Sequence, residues 1–194
     1  MTTSRREHLL QIAMKLFNEH GFNATGIDKV QAASGVSKTT MYKHFKSKDE
    51  LIQAVLEMRH QEFDQWLRNR VEAVSCERYA DTPSGKILAL FDILDEWFHS
   101  EKFFGCNFIN ASAEFSNQSH PIHRLAAQHK MSMVDYITQL LPPDIQKPDE
   151  LAKEICLLID GAIVSAHTAC LKESARRAKK ILLMLLESYT AGPG

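Results

Sequence analysis

Three times within the first fifty residues a hydroxyl side chain is followed, three positions on, by a carboxylate: Ser4 and Glu7, Thr25 and Asp28, Ser47 and Glu50. That is the capping-box spacing, in which hydroxyl and carboxylate satisfy free backbone N–H groups at the start of a helix. Helix starts this dense commit the chain to short helices joined by short connections. The apolar residues keep the same period. Leu9, Ile12, Ala13, Leu16 and Phe17 line one face of a first helix from about Ser4 to His20, and Gly21 closes it. A second helix, from about Gly26 to Ala33, buries Ile27, Val30 and Ala33. Ser34-Gly35-Val36 makes a tight turn, a third helix covers about Ser37 to His44, and a long one opens at Ser47.

Beyond Ser47 the pattern Leu51, Ala54, Val55, Met58, Phe63, Trp66 and Leu67 carries on to about Ser75. At about 1.5 Å per residue such a helix is on the order of 40 Å long, enough to join two domains. Thr82-Pro83 reads as an N-cap with a first-turn proline, opening a helix to about His99. Gly105 interrupts the chain before a shorter helix over Asn107 to Phe115. Another starts near Ser119-His120-Pro121 and stops before Pro142-Pro143. The last two span about Pro148 to Leu171 and Ser174 to Tyr189. The expectation is an all-α chain of about nine helices without strand or repeat.

Six prolines and eight glycines in 194 residues argue against collagen, low-complexity disorder and a turn-rich sandwich. No stretch reaches the roughly 18 apolar residues of a membrane helix; Ile155 to Leu171 contains Asp160 and His167. Arg5, Arg6 and Glu7 are not followed by a secretory apolar run. Cys76, Cys106, Cys156 and Cys170 have wide, irregular spacings with no CxxC pair. A reduced, cytoplasmic chain is expected. There is no GxSxG, HExxH, P-loop or dinucleotide fingerprint, so neither enzyme activity nor a cofactor is expected.

The net charge of −1 conceals an asymmetry: residues 1–50 hold eight Lys/Arg against five Asp/Glu, and residues 51–194 hold 15 against 19. A basic head on an acidic body suits a head that meets an anion. Two short helices around a glycine turn, behind a supporting helix, have the form of a helix-turn-helix DNA reader. Val36, Met41 and Phe45 can pack the reading helix, and its outer side offers Lys38, Thr39, Thr40, Lys43 and His44. Threonine suits base edges and thymine methyl groups. Lysine, tyrosine and helix N-termini hold phosphates.

The stretches Gly21-Phe22-Asn23-Ala24-Thr25-Gly26-Ile27 and Ala32 to Leu51, above all Tyr42, His44-Phe45, Ser47-Lys48 and Leu51, resemble the TetR (tetracycline-repressor-like) family of bacterial regulators. The resemblance covers roughly the first quarter of the chain. It implies a DNA-binding domain over residues 1–48 and a helical effector-binding and dimerisation domain over 49–194. It also implies phosphate contacts from Thr25, Tyr42 and Lys48. Ser37, Lys38, Thr39 and Thr40 would face the bases and nearby backbone, while Lys43 and His44 line the groove wall. A small residue is frequent where Thr39 stands, and Met41 replaces a more usual leucine or phenylalanine, so Thr39 leaves base preference open.

In the body, Phe91, Trp97, Phe98, Phe103, Phe104, Phe108 and Phe115 crowd together in sequence. They suit either plain core or an apolar ligand site with a few polar groups, and the resemblance favours the latter. The candidate ligand residues are Trp66, Trp97, Phe98, Phe104, Phe108, Asn110 and Met131, and they suggest an uncharged or weakly polar organic effector. Leu158, Gly161, Ala162, Ser165 and Ala169 of the penultimate helix, with Ile181 and Leu185 of the last, form the candidate dimer interface. The resemblance implies that these two helices pair with their copies, and a two-fold protein matches a palindromic operator. His120-x-x-His123 with His129 has partial metal spacing. Pro121 interrupts it and no carboxylate or cysteine stands in step, so no metal is assigned. Cys106 is a candidate sensing thiol, with an inert buried thiol the commoner outcome. The expected protein is a homodimeric repressor released from double-stranded DNA by a small molecule. The alternatives are a metal- or thiol-responsive regulator of the same fold, or an all-α ligand carrier or enzyme with an incidental helix-turn-helix.

Overall fold

The computed structural model describes residues 4–190. Among the described residues the chain is all-α, with nine helices and no strand: α1 (Arg5–His20), α2 (Ile27–Ser34), α3 (Lys38–His44), α4 (Lys48–Arg78), α5 (Gly85–Phe98), α6 (Asn107–Glu114), α7 (Pro121–Leu140), α8 (Pro148–Thr168) and α9 (Ser174–Thr190). Local chemistry sets most of the starts. Ser4 caps α1 in a reciprocal capping box with Glu7. Ser47 Oγ accepts the Glu50 N–H at 3.1 Å, while the Glu50 carboxylate reaches one residue further back, to the Lys46 N–H at 2.7 Å.

Three boundaries depart from the sequence expectation. Thr25 does not cap α2, whose N-cap is Gly26 with no side-chain bond. The Thr25 hydroxyl turns back instead, 2.8 Å from the carbonyl of Gly21, the C-cap of α1, and 3.3 Å from that of Leu16. Thr82-Pro83 lies in a turn closed by the Gly85 N–H on the Thr82 carbonyl at 2.8 Å, so α5 opens at Gly85. α8 stops at Thr168, ahead of Cys170 with its φ of 55°.

The chain folds as two compact units, Met1–Phe63 with Cys106–His129, and Asp64–Gly105 with Lys130–Gly194. In the first, α1 packs on α2, and Phe17 meets Phe22 at 5.1 Å between ring centroids. α6 belongs to this unit through polar bonds. The Glu114 carboxylate accepts the Phe22 N–H at 2.9 Å and the Asn23 N–H at 2.6 Å. The Asn107 amide donates to the Asn18 side chain, and His120 Nε2 lies 3.4 Å from Asp49. In the second unit α9 packs on α5 and α8. α5 is buried almost throughout, with Ile87, Leu90, Phe91, Ile93 and Phe98 in the core. Asp92 accepts from both Tyr79 and Lys179, tying the end of α4 to α5 and α9. Among the described residues no helix is long and apolar enough to cross a membrane.

A test of this core concerns Gly85, where an added Cβ would stand 2.7 Å from Tyr79 Cβ and 2.8 Å from the Tyr79 carbonyl oxygen. Alanine gains up to about 1 kcal/mol of helix propensity, but overpacking against backbone costs about 1–3 kcal/mol. Gly85→Ala is therefore expected to lower the midpoint of urea unfolding. An unchanged or raised midpoint would show that the Tyr79 turn yields freely.

Candidate nucleic-acid interface

The turn between α2 and α3 is built on Gly35, whose φ of 68° lies in the left-handed region that side chains resist. Ser37 then caps α3, its Oγ accepting the Thr40 N–H at 3.2 Å and lying 2.9 Å from the Thr40 hydroxyl. One side of α3 is core. Met41 and Phe45 are buried, as is Val30 on α2, and the Arg6 guanidinium covers the Phe45 ring at 5.4 Å. The opposite side is open: Ser37, Lys38, Thr39, Tyr42 and Lys43 are exposed, and Thr40 and His44 are partly so. Tyr42 is 48% exposed, a large fraction for an aromatic ring. Lys38 meets Asp28 of α2 at 3.0 Å, and that hydrogen bond pushes the Lys38 ammonium above its ordinary pKa. The Lys48 ammonium donates to the Asn23 carbonyl at 2.9 Å, which holds it beside the segment leading into α2.

Thr25 is a correction. It is 0% exposed and its hydroxyl is spent on the carbonyls of Gly21 and Leu16, so its side chain does not reach the surface where a phosphate contact was expected.

The aromatic residues of the body separate between the two units. Trp97, Phe98 and Phe103 form one cluster, with Trp97 edge-on to Phe103 at 4.9 Å and Phe98 fully buried. Phe108 belongs to the other unit, stacked on His129 at 3.6 Å with 11° between the planes. Asn110 is partly buried, whereas Trp66, Phe104 and Met131 are exposed. The Phe108 cluster includes residues that the sequence pattern did not point to as ligand contacts. His60 Nδ1 lies 3.0 Å from His129 Nδ1, and the Arg59 guanidinium stands over the Phe63 ring at 5.3 Å. Arg59 and Phe63 are four apart on α4, a spacing that puts them on one face and was available in the sequence.

On α8 the outward stripe coincides with the expected one at Gly161 and departs from it elsewhere. Ala162 is buried within the protomer, where its carbonyl accepts the Ser174 hydroxyl at 2.8 Å. Leu158 and Ser165 are partly covered, and Ala169 lies past the helix end. The exposed stripe runs through Leu157 (74% exposed), Gly161 and Val164, rotated by about one residue, or about 100°, from the stripe read in the sequence. On α9, Met184 (68%), Ile181 and Leu183 are exposed, and Leu185 is partly so. His120 and His123 do not converge: the first faces Asp49, and the second bonds to the Phe115 carbonyl at 2.8 Å. Among the described residues no group of three potential ligands could hold a metal. Cys106 is buried at the N-cap of α6.

Residues 9–55 match the family described as bacterial regulatory proteins, tetR family. Along 92% of its length the chain is 26% identical to the HTH-type transcriptional regulator YjdC of Escherichia coli, covering 93% of that protein. It is 33% identical over 88 residues to the HTH-type transcriptional repressor KstR2 of Mycolicibacterium smegmatis, 45% of this chain and 40% of that one. The crystal structure of SCO4454, a TetR-family regulator from Streptomyces coelicolor, superposes with a TM-score of 0.83 at 26% identity over 96% of both chains. With a glycine-turned helix pair over a buried Met41 and Phe45, the chain carries the helix-turn-helix of the tetR family over residues 9–55 and is a DNA-binding transcriptional regulator similar along its length to YjdC and SCO4454.

Proposed function

We propose that this protein is a one-component repressor that binds a palindromic operator as a homodimer and is released by a small, largely apolar effector. Residues 1–48 act as the DNA-binding head and residues 49–194 as the effector-binding and dimerisation body. The observation that carries this reading is the open side of α3, where Ser37, Lys38, Thr39, Tyr42 and Lys43 are exposed beneath a packed Met41 and Phe45. A helix held in this way enters a major groove with its outer residues against base edges. Thr39 has the freer hydroxyl for base readout, because that of Thr40 is engaged with Ser37. Phosphate contacts fall to Tyr42, Lys43, His44 and Lys48, and to the first turn of α2, which has no side-chain cap. A repressor sign is supported by KstR2, a transcriptional repressor by name.

Leu157, Val164, Ile181, Leu183 and Met184 support dimerisation through α8 and α9, since so many exposed apolar side chains on adjoining helices favour burial against a copy. The effector acts by preferring a body conformation in which the two heads no longer match the operator. Glu114 and Asn107 support α6 as the link, because they bond to Phe22, Asn23 and Asn18 of the head, and His120 after it lies against Asp49 in the first turn of α4.

Three outcomes test the reading. Operator affinity should fall with salt, and Lys48→Ala should lower the log–log slope by about 0.9 for each phosphate it no longer neutralises; an unchanged slope would mean that Lys48 touches no phosphate. Thr39→Ala should change the ranking of operator variants in a binding selection, whereas uniform weakening would mean that Thr39 only positions the helix. An added Cβ on Gly161 meets nothing within 4 Å in the protomer. Gly161→Leu should therefore leave the fold intact while weakening the dimer in sedimentation by about 1–3 kcal/mol of overpacking. A dimer of undiminished affinity would place the interface elsewhere.

A further inference from the structure

Arginines of this chain that lie near carboxylates pair with them. Arg68 bonds to Asp64, Arg70 and Arg78 to Glu96, Arg176 to Asp95, and Arg177 to Glu173, each with an exposed or nearly exposed guanidinium. Arg5, Arg6 and Arg124 make no ion pair among the described residues, but they are exposed, and Arg59 is not. The Arg59 guanidinium makes no hydrogen bond and no ion pair among the described residues either, and its close contact is the face of Phe63. Burial pushes its pKa below the ordinary arginine range, and the Glu62 charge only partly offsets this. The Glu62 carboxylate is turned away, accepting from the Gln11 amide at 2.9 Å. Arginine stays charged even so, and a desolvated cation without a counter-ion is costly.

Apart from Glu62, whose carboxylate is engaged by Gln11, the neighbours of this cation supply flat surface. Phe108 stacks on His129, His60 stands edge-on to His129 at 5.3 Å, and Phe63 approaches His129 at 5.8 Å. Two imidazoles joined Nδ1 to Nδ1 at 3.0 Å can gain positive charge, never negative. What would complete the cluster is an anion carried on an apolar body. A planar carboxylate matches the guanidinium fork with two parallel hydrogen bonds and brings the single charge that a single arginine lacks.

We propose that the effector of this regulator is an organic acid whose carboxylate is held by Arg59 of α4 while its apolar body lies against the Phe63, Phe108 and His129 rings. The inference rests on the effector reading above and departs from the uncharged effector expected from the sequence.

The test has two parts on the full chain. In the first, Arg59→Met keeps the stem and removes the charge. It is expected to raise the thermal midpoint of the ligand-free protein, because an unpaired desolvated charge is removed. A lowered midpoint would assign Arg59 to packing on Phe63 and overturn the proposal. In the second, benzoate, 2-naphthoate and decanoate are each compared with their primary amides by thermal shift and tryptophan fluorescence without DNA. At least one acid is expected to bind about 10- to 100-fold more tightly than its amide, the range for a hydrogen bond to a charged group. Arg59→Met should erase that preference and Arg59→Lys should keep part of it. Equal binding of acids and amides, a preference that survives Arg59→Met, or no binding of any acid at millimolar concentration overturns the proposal. Operator release, measured separately, distinguishes the two readings. An acid that binds through Arg59 without releasing DNA keeps the site and sinks the effector reading. Release by the amides as readily as by the acids keeps the effector reading and sinks the anion site.

Discussion

One carboxylate holds the entry to the DNA-reading helices. Glu114, at the last turn of α6, accepts the backbone N–H groups of Phe22 and Asn23 just beyond the end of α1. Hydrogen bonds to a charged group are each worth about 1.5–3 kcal/mol, and an amide left unpaired costs a similar amount. Everything that follows in the head is referred to this short segment. The Gly21 N–H bonds to the Phe17 carbonyl, the Thr25 hydroxyl bonds back to Gly21, and the Lys48 ammonium bonds to the Asn23 carbonyl. The direction in which α2 leaves, and with it the placing of Gly35 and α3, is set by bonds converging on this short stretch between Gly21 and Thr25.

On the proposed reading, the same arrangement would make the head responsive. A coupling free energy between effector and operator of about 1–3 kcal/mol is typical, and that is the size of one or two of the bonds made by Glu114. Loss or lengthening of these bonds in one body conformation would be enough to bias α2 and α3 between two settings. No continuous path of side chains is required, only an element with two arrangements that both ligands prefer differently.

Much of this is legible in the residues alone. The Ser4, Ser37 and Ser47 starts, the Gly35 turn and the packing of Met41 and Phe45 are local, and local hydrogen-bond chemistry decides them. What the pattern misses is decided by residues distant in sequence. Thr25 has the spacing of a cap, but the carbonyls of Gly21 and Leu16, at the end of α1, take its hydroxyl. The outward stripe of α8 differs from the one the pattern suggests by about one residue, or about 100°, because Ala162 and Ala166 turn inward with α9 docked on α8. Glu114 carries no signal at all: its bonds reach 92 residues back along the chain. Arg59 is hidden for another reason. Charged residues on a long helix are usually solvated, and only packing shows which of them has lost its water.

The Arg59 cluster and the Glu114 node share their helices. α4 carries Lys48 and Arg59, separated by about 16 Å along the axis at about 1.5 Å per residue. α6 carries Phe108 and Glu114. Lys48 holds the carbonyl of Asn23 from α4, and Glu114 holds the N–H of the same residue from α6. Asn23 is therefore gripped from two helices at opposite ends of one amino acid. On the proposed reading, a molecule seated on Arg59 and Phe108 touches both helices, so a change in their relative position would bear on the Phe22–Asn23 segment they share. Packed helices shift as rigid elements more readily than they bend. The strain would then fall on the hydrogen bonds of this segment, which lie at the root of α2.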